Sequence, residues 1–178
     1  MPIRIYDEAR LAINAFEMYK SGNYIVTTFD GMPDLWNTKP PFFIWFQVAF
    51  IKLIGYNELA LRLPSAISGL LVIVALIQFS KNYLNSFFLG FLSFIVLISS
   101  AGFVSIHGTR TGDYDVMVTL FMFLYSICYL LYLEKGSIKY IVSFGILVGL
   151  AVLTKSIVGL MFLPALFLYT ITSKNFSR

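Results

Sequence analysis

Only 12% of the chain is charged, and its acids and bases fall in a few tight places. Asp7 and Glu8 stand together near the start, Lys39 precedes two prolines, and Arg62 stands just ahead of an apolar run. His107, Arg110, Asp113 and Asp115 crowd into HGTRTGDYDVM, and Lys155 interrupts the last apolar stretch. A carboxylate can take a proton from a reacting group, and an ammonium or guanidinium can hold a developing anion. Acids mixed with bases therefore suit proton transfer coupled to charge stabilisation. Each also has an ordinary structural reading. Asp7 and Glu8 suit the first turn of a surface helix, Lys39 a loop, and Arg62 and Lys155 snorkelling anchors at a membrane edge. His107 reads more simply as a loop histidine than as a metal ligand, and Asp113 and Asp115 suit the cap of a following helix. Spacing alone leaves both readings open.

Position relative to a membrane gives these residues a common address. Hydrophobic residues make up 58% of the chain and aromatics 17%, with a mean hydropathy of +0.81, against about 45–50% apolar and about 25% charged in a soluble domain. Apolar runs of membrane-crossing length recur, and the sequence predicts five spans at about 61–81, 86–106, 115–133, 138–154 and 157–172. None alternates polar with apolar residues as a barrel strand would, and lipid satisfies no backbone group, so the spans are expected to be helices. The expected fold class is an all-α integral membrane protein, with a transmembrane helical region over 61–178 and an external loop over 1–60 carrying two interfacial helices. Lys81, Lys135, Lys139, Lys174 and Arg178 gather at one set of span ends, which the cytoplasmic bias of cations makes the inner face. Residues 1–62, the 107–115 break and Lys155 then share the outer face. The net charge of +4 is divided between the two faces without a basic run, which argues against nucleic acid as a partner. Cys128, the single cysteine, excludes an internal disulfide. No repeat or low-complexity tract is visible.

Nothing at the start of the chain looks like a signal peptide, although the topology puts residues 1–60 outside. A preceding span and a following portion are therefore expected in a longer parent protein. Within the outer loop, Asp7, Arg10, Asn14 and Glu17 recur at helical spacing, while Leu11, Ala12, Ala15, Phe16 and Tyr19 take the other side. This predicts an amphipathic helix ended by Ser21, Gly22 and Asn23, lying in the membrane interface with its apolar face down. After the turn-rich stretch TTFDGMPDLWNTKPP, a second apolar helix is expected over about 41–54, too short for a span and thus interfacial or re-entrant.

Nine ionisable groups from five places in the chain thus map to one side of the membrane, where charges are costly unless solvated or paired and often mark function. A transporter or channel segment is the competing class, yet transporters place polar groups near the bilayer midplane, and these spans are uncharged through their middles. An inactive remnant is a third reading.

The order of DEARLAINAFEMYKSGNY, KPPFFIWFQVAFIKLIGYNELALRLPSAISGLL, RTGDYDVM and GLAVLTKSIVGLMFLP resembles the protein mannosyltransferase and lipid A aminoarabinose transferase superfamily, membrane glycosyltransferases of the C type. The resemblance covers nearly all of the chain and only the front part of the family's length. It implies transfer of a sugar from a polyprenyl-phosphate donor to an acceptor hydroxyl or phosphate on lipid A, protein or glycan, at the outer face of a bacterial inner membrane. Asp7 matches the catalytic aspartate of the family's Asp-Glu motif, with Glu8 beside it to orient a neighbour. Lys39 matches a lysine near the donor phosphate, and Asp115, with Asp113 as the alternative, matches the acid of the second external loop. Lys155 matches a lysine at the outer end of a later span, and Arg110 and Arg62 are further candidate cations for the phosphate. Two features depart from the family: GDYD offers two acids where some relatives have one, and KSI replaces a common Lys-Gly. In such a reaction a carboxylate takes the acceptor's proton, worth roughly 10²–10⁴-fold, and cations hold the leaving phosphate. A divalent cation between the acids is compatible with the sequence, though no spacing demands one, and no other cofactor is implied. The interfacial helices would let the lipid-linked donor enter sideways from the surrounding membrane lipids.

Overall fold

The computed structural model describes residues 3, 6–105 and 107–173, so Lys174 and Arg178, two of the cations that orient the chain, lie outside the described residues. Helix α1 (Asp7–Ser21) leads into a small antiparallel hairpin of β1 (Thr28–Phe29) and β2 (Met32–Pro33), with Thr28 opposite Pro33 and Phe29 opposite Met32. There follow α2 (Phe42–Ile54), α3 (Glu58–Tyr83), α4 (Phe87–Ser99), the single turn α5 (Ala101–Val104), α6 (Asp115–Lys135), α7 (Ile138–Lys155), a 3-10 turn over Ser156–Leu160, and α8 (Leu163–Thr172). The punctuation is local chemistry. Gly22, at φ +70°, closes α1 by donating its N–H to Met18 O. The Asn57 side chain accepts from Ala60 N at 2.9 Å to start α3, and Ser86 does the same for α4 through Leu89 N at 3.2 Å.

This is an all-α membrane protein. Among the described residues, three helical stretches are long and apolar enough to cross a bilayer: α3 with 26 residues, α6 with 21, and the 23-residue stretch Ile138–Leu160. Two segments expected as spans are shorter helices instead. In the 86–106 segment, α4 stops at Ser99 because Ser100 turns extended, φ −74° and ψ 120°. Ser99 Oγ donates to Val96 O at 3.0 Å, the kind of local bond by which serine competes with helix continuation. In the 157–172 segment the 3-10 turn packs onto α7. A Cβ at Gly159 would lie 2.5 Å from the Ala151 carbonyl carbon, so only glycine fits there. Pro164 then opens the ten-residue α8, where its missing N–H costs nothing.

The elements outside the long apolar helices bury a core with the ends of α3 and α6. Leu11, Ala12, Ala15 and Met18 of α1 meet Phe43, Ile44, Val48 and Ile51 of α2, Ala60 and Leu61 of α3, and Tyr114 and Met117 at the start of α6. The larger of these side chains each contribute about 1.5–3 kcal/mol on leaving water. The apolar face of α1 is therefore covered by protein rather than laid face-down in the membrane interface. Its period was legible, but the partner was not, since an apolar stripe fits lipid and protein equally well. The far side of α2 exposes Trp45, Phe46 and Leu53. A second cluster of Val118, Met122, Tyr125 and Ala151 joins α6 to α7, and Tyr125 OH donates to Gly159 O at 3.1 Å. α4 and α8 expose large apolar side chains such as Phe88 and Phe167.

Candidate active site

Adjacent residues on a helix point about 100° apart, and the two acids that open α1 go opposite ways. Glu8 turns inward and is 5% exposed. Its Oε1 accepts from Arg62 Nε at 2.6 Å and its Oε2 from Arg62 Nη2 at 3.0 Å, while Oε1 also accepts the Gly112 N–H at 3.1 Å. One carboxylate thereby ties α1 to α3 and to the 107–115 loop. Gly112 makes the approach feasible, because a Cβ there would sit 2.6 Å from Leu61 O. Asp113 is held as firmly. Its N–H donates to Ser65 Oγ at 3.1 Å, and Ser65 Oγ donates back to Asp113 O at 2.8 Å. Its carboxylate accepts the Tyr114 N–H at 2.7 Å and, through the other oxygen, meets His107 Nδ1.

Asp7 turns outward and is exposed. Ligand-type atoms of Asp7, His107 and Asp113 all lie within 4.8 Å of one another, so the turn of α1 and the distant loop converge. The hydrogen bond to Asp113 holds the His107 imidazole above its ordinary pKa of 6.5; burial opposes this, and the charges of Asp113, Asp115 and Asp7 add to it. An imidazolium between two carboxylates offsets their repulsion. One divalent cation would also fit this set, since imidazole and carboxylate together suit several first-row metals.

Lys39 reaches the same place from the loop before α2. It lines a small cavity of about 40 Å³ together with Asp7, Leu11, Trp36 and Asn37. Its Nζ lies 5.2 Å from the centroid of the Tyr114 ring, which is wholly buried beside Phe43, so the cation is seated over the loop it faces. A larger cavity of about 490 Å³ also opens at Asp7, bounded by Ile13, Phe29 and Trp36.

The remaining candidates are placed differently. Arg62 lies beneath the site with its guanidinium on Glu8. Lys155 Nζ donates to Asp115 Oδ1, joining the end of α7 to the start of α6. Arg110 is exposed. The structure thus brings Asp7, Asp113 and Lys39 together, sets Glu8 and Arg62 under them as a clamp, and pairs Asp115 with Lys155 alongside.

Several residues that shape the site escaped the reading of the sequence. Arg10 grips Asp34 with two bonds, Nε to Oδ2 at 2.8 Å and Nη2 to Oδ1 at 2.6 Å, which holds the Asp34 carboxyl well below the usual carboxylate range. Asn14 Nδ2 donates to Asp34 Oδ2 at 3.0 Å and to Thr28 O at 2.6 Å, and Asn37 Nδ2 donates to Asn14 Oδ1 at 3.0 Å and to Tyr114 OH at 3.2 Å. This buried network fastens the hairpin loop to α1 and to the 107–115 loop. A signal was present, because Arg10 and Asn14 share a stripe of α1 with Asp7. His107 does lie in a loop, as its sequence context suggests, and its partner Asp113 is six positions away.

The pattern of the family described as dolichyl-phosphate-mannose-protein mannosyltransferase matches residues 38–178. The protein YycA of Bacillus subtilis (strain 168), provisionally named a mannosyltransferase, is 24% identical over 155 residues, covering 87% of this chain and 22% of that protein. An uncharacterised protein of Aquifex aeolicus (strain VF5) is 30% identical over 116 residues, or 65% of this chain and 22% of its own length. The chain therefore spans about a fifth of these relatives. Its fold is similar to the crystal structure of ArnT from Cupriavidus metallidurans bound to undecaprenyl phosphate, with a TM-score of 0.77 at 24% identity, over 93% of this chain and 31% of that one. The apo form of the same protein gives 0.75. With most of its length matched by one family pattern, the chain belongs to the dolichyl-phosphate-mannose-protein mannosyltransferase family.

Proposed function

We propose that the protein of which this chain forms part is a membrane glycosyltransferase that moves a sugar from a polyprenyl-phosphate donor to an acceptor on lipid, protein or glycan, at the outer face of the membrane. The observation that carries the reading is the meeting of Asp7 and Lys39 in one cavity, beside a loop fixed by Glu8, Gly112 and Ser65. A hydroxyl of the acceptor gives its proton to the Asp7 carboxylate while its oxygen bonds to the anomeric carbon of the sugar. The bond from that carbon to the phosphate oxygen breaks, its electron pair stays on the polyprenyl phosphate, and Lys39 holds the charge through charge-assisted hydrogen bonds. Asp113 acts through position, keeping His107 beside Asp7, and Glu8 and Arg62 hold the two halves of the site together. The binding of undecaprenyl phosphate by ArnT supports a lipid phosphate as the donor's carrier. The Asp115–Lys155 pair stands next to the loop and is assigned to positioning the end of α7.

The test is transfer of a labelled sugar from its lipid carrier in membranes with matched protein levels. Asp7→Asn keeps the size of the side chain but not its basicity, and transfer should fall by about 10²-fold or more. Lys39→Ala should also reduce it, while Asp30→Asn, in the exposed hairpin turn, should leave it near the wild-type rate. Near wild-type transfer by Asp7→Asn would remove Asp7 as the base.

A further inference from the structure

We propose that the cavity of about 490 Å³ beside Asp7 is the acceptor pocket and that its occupant is a neutral sugar ring of a glycan acceptor; this rests on the transferase reading above. Two cavities adjoin at Asp7, Arg10 and Trp36, which line both, and they diverge from there around α1. The small one is lined by Leu11 and Lys39, the large one by Ala9 and Ile13. Residues 9 and 13 are one turn apart on the helix, and residue 11 lies nearly opposite them. A donor phosphate drawn to Lys39 therefore leaves the large cavity free for the second substrate, with the Asp7 carboxylate between the two.

The lining of the large cavity specifies chemistry. Tyr6, Phe29 and Trp36 supply aromatic rings, and Tyr6 and Trp36 are 85% and 78% exposed, unusual for residues that normally bury their faces. Arg10, the one cation among the described lining residues, is neutralised by its two bonds to Asp34, and its guanidinium lies 4.5 Å from the Phe29 ring centroid. The described lining thus offers no net positive charge to a phosphate or carboxylate, and Asp7 repels an anion from its rim. A pyranose ring suits it, since its C–H face packs on an aromatic ring while hydroxyls project from its edge, one of them toward Asp7. The volume lies within the roughly 300–1,000 Å³ of ordinary small-ligand pockets. Four of the lining residues, Asp7, Ala9, Arg10 and Ile13, belong to α1, whose main chain is already bonded internally and gives an extended peptide little to pair with on that wall.

The experiment uses the protein as its gene encodes it, in detergent, with methyl pyranosides as probes and no donor present. Saturation-transfer NMR should show the axial ring protons of one or more glycosides in contact with the protein. Phe29→Leu, which removes an aromatic face, and Ile13→Trp, which fills the cavity, should abolish that signal, and Phe29→Tyr should restore it. In the transfer assay the same two variants should raise the acceptor KM about tenfold and shift the donor KM less than about twofold, as expected when about 1.4 kcal/mol of stacking is lost from one substrate only. The proposal is overturned if no glycoside shows contact, if Ile13→Trp leaves the contact intact, if the donor KM rises instead, or if serine- and threonine-containing peptides show the contact and the sugars do not. Glycoside contact that behaves as described in a protein that consumes no lipid-linked sugar would uphold the pocket and refute the transferase.

Discussion

The two acids that open α1 should separate cleanly under mutation. Glu8→Gln keeps the size and removes the charge, leaving the Arg62 guanidinium facing an amide with only one acceptor oxygen, where the carboxylate had accepted two bonds from Arg62 and one from Gly112. Removing one partner of a fully buried ion pair costs about 3–5 kcal/mol. The Arg62 side chain keeps 17% of its exposure, against 4% for Glu8, so water reaches the guanidinium and about 2–3 kcal/mol is the better expectation. In a unit of this size each kcal/mol moves the melting midpoint by about 2–4 °C, so thermal unfolding in micelles should drop by about 4–12 °C. Asp7→Asn, one residue earlier and exposed, should shift the midpoint by less than about 2 °C, as surface substitutions do, while losing transfer. Replacing both partners, Glu8→Gln with Arg62→Gln, should recover part of the loss, because no buried charge is left unpaired. Equal midpoints for wild type and Glu8→Gln would refute the clamp, and with it the division of labour between the two acids.

Gly112→Ala places a Cβ 2.6 Å from Leu61 O and 3.1 Å from Gln47 Nε2. Backbone cannot move aside as a side chain can, so about 1–3 kcal/mol should be lost to overpacking, with transfer falling as Asp113 and His107 shift away from Asp7; unchanged melting and unchanged transfer would both contradict the close packing. Cysteines placed at exposed Asp30 and Arg110 should react with an impermeant thiol reagent from the same, non-cytoplasmic side of intact cells, and reaction from opposite sides would break the shared-face model.

What the sequence disclosed about this molecule depends on which force set each feature. Helix α1 and its end at Gly22 follow from a periodic stripe and a residue that tolerates φ +70°, both local. The long apolar helices α3 and α6 follow from length and composition, for the same reason. The breaks at Ser100 and in the 3-10 turn were not legible, because an uninterrupted run of apolar side chains hides the backbone contacts, Gly159 against Ala151 among them, that end a helix. At the site, residue types drew attention to Asp7, Lys39 and Asp113, while their convergence depends on the Glu8–Arg62 pair and on Ser65, whose partner Asp113 is 48 positions away. Serine at position 65 carries no mark in the sequence that distinguishes it from Ser68, whose hydroxyl bonds within its own helix to Pro64 O at 2.7 Å.

The same contrast explains why the site has a polar underside. Apolar packing has no preferred direction, so the core beneath α1 and α2 does not by itself fix where a carboxylate points. Geometry there has to come from directed bonds. Glu8 reaches three donors, Asp113 is held through its N–H, its carbonyl and both carboxylate oxygens, and Asp34 gathers Arg10, Asn14 and the N–H groups of Trp36 and Asn37 at 3.1 Å each. Directed bonds can also do what apolar packing cannot, which is to hold Asp7 and Asp113 near each other against their mutual repulsion, with His107 between them and Lys39 close by. An exposed carboxylate becomes a positioned base when the strain of keeping it beside another acid is borne by neighbours that cannot move. The anchoring belongs to the buried acids Glu8, Asp34 and Asp113, while the exposed Asp7 carries the base's role only in the proposed transfer reaction.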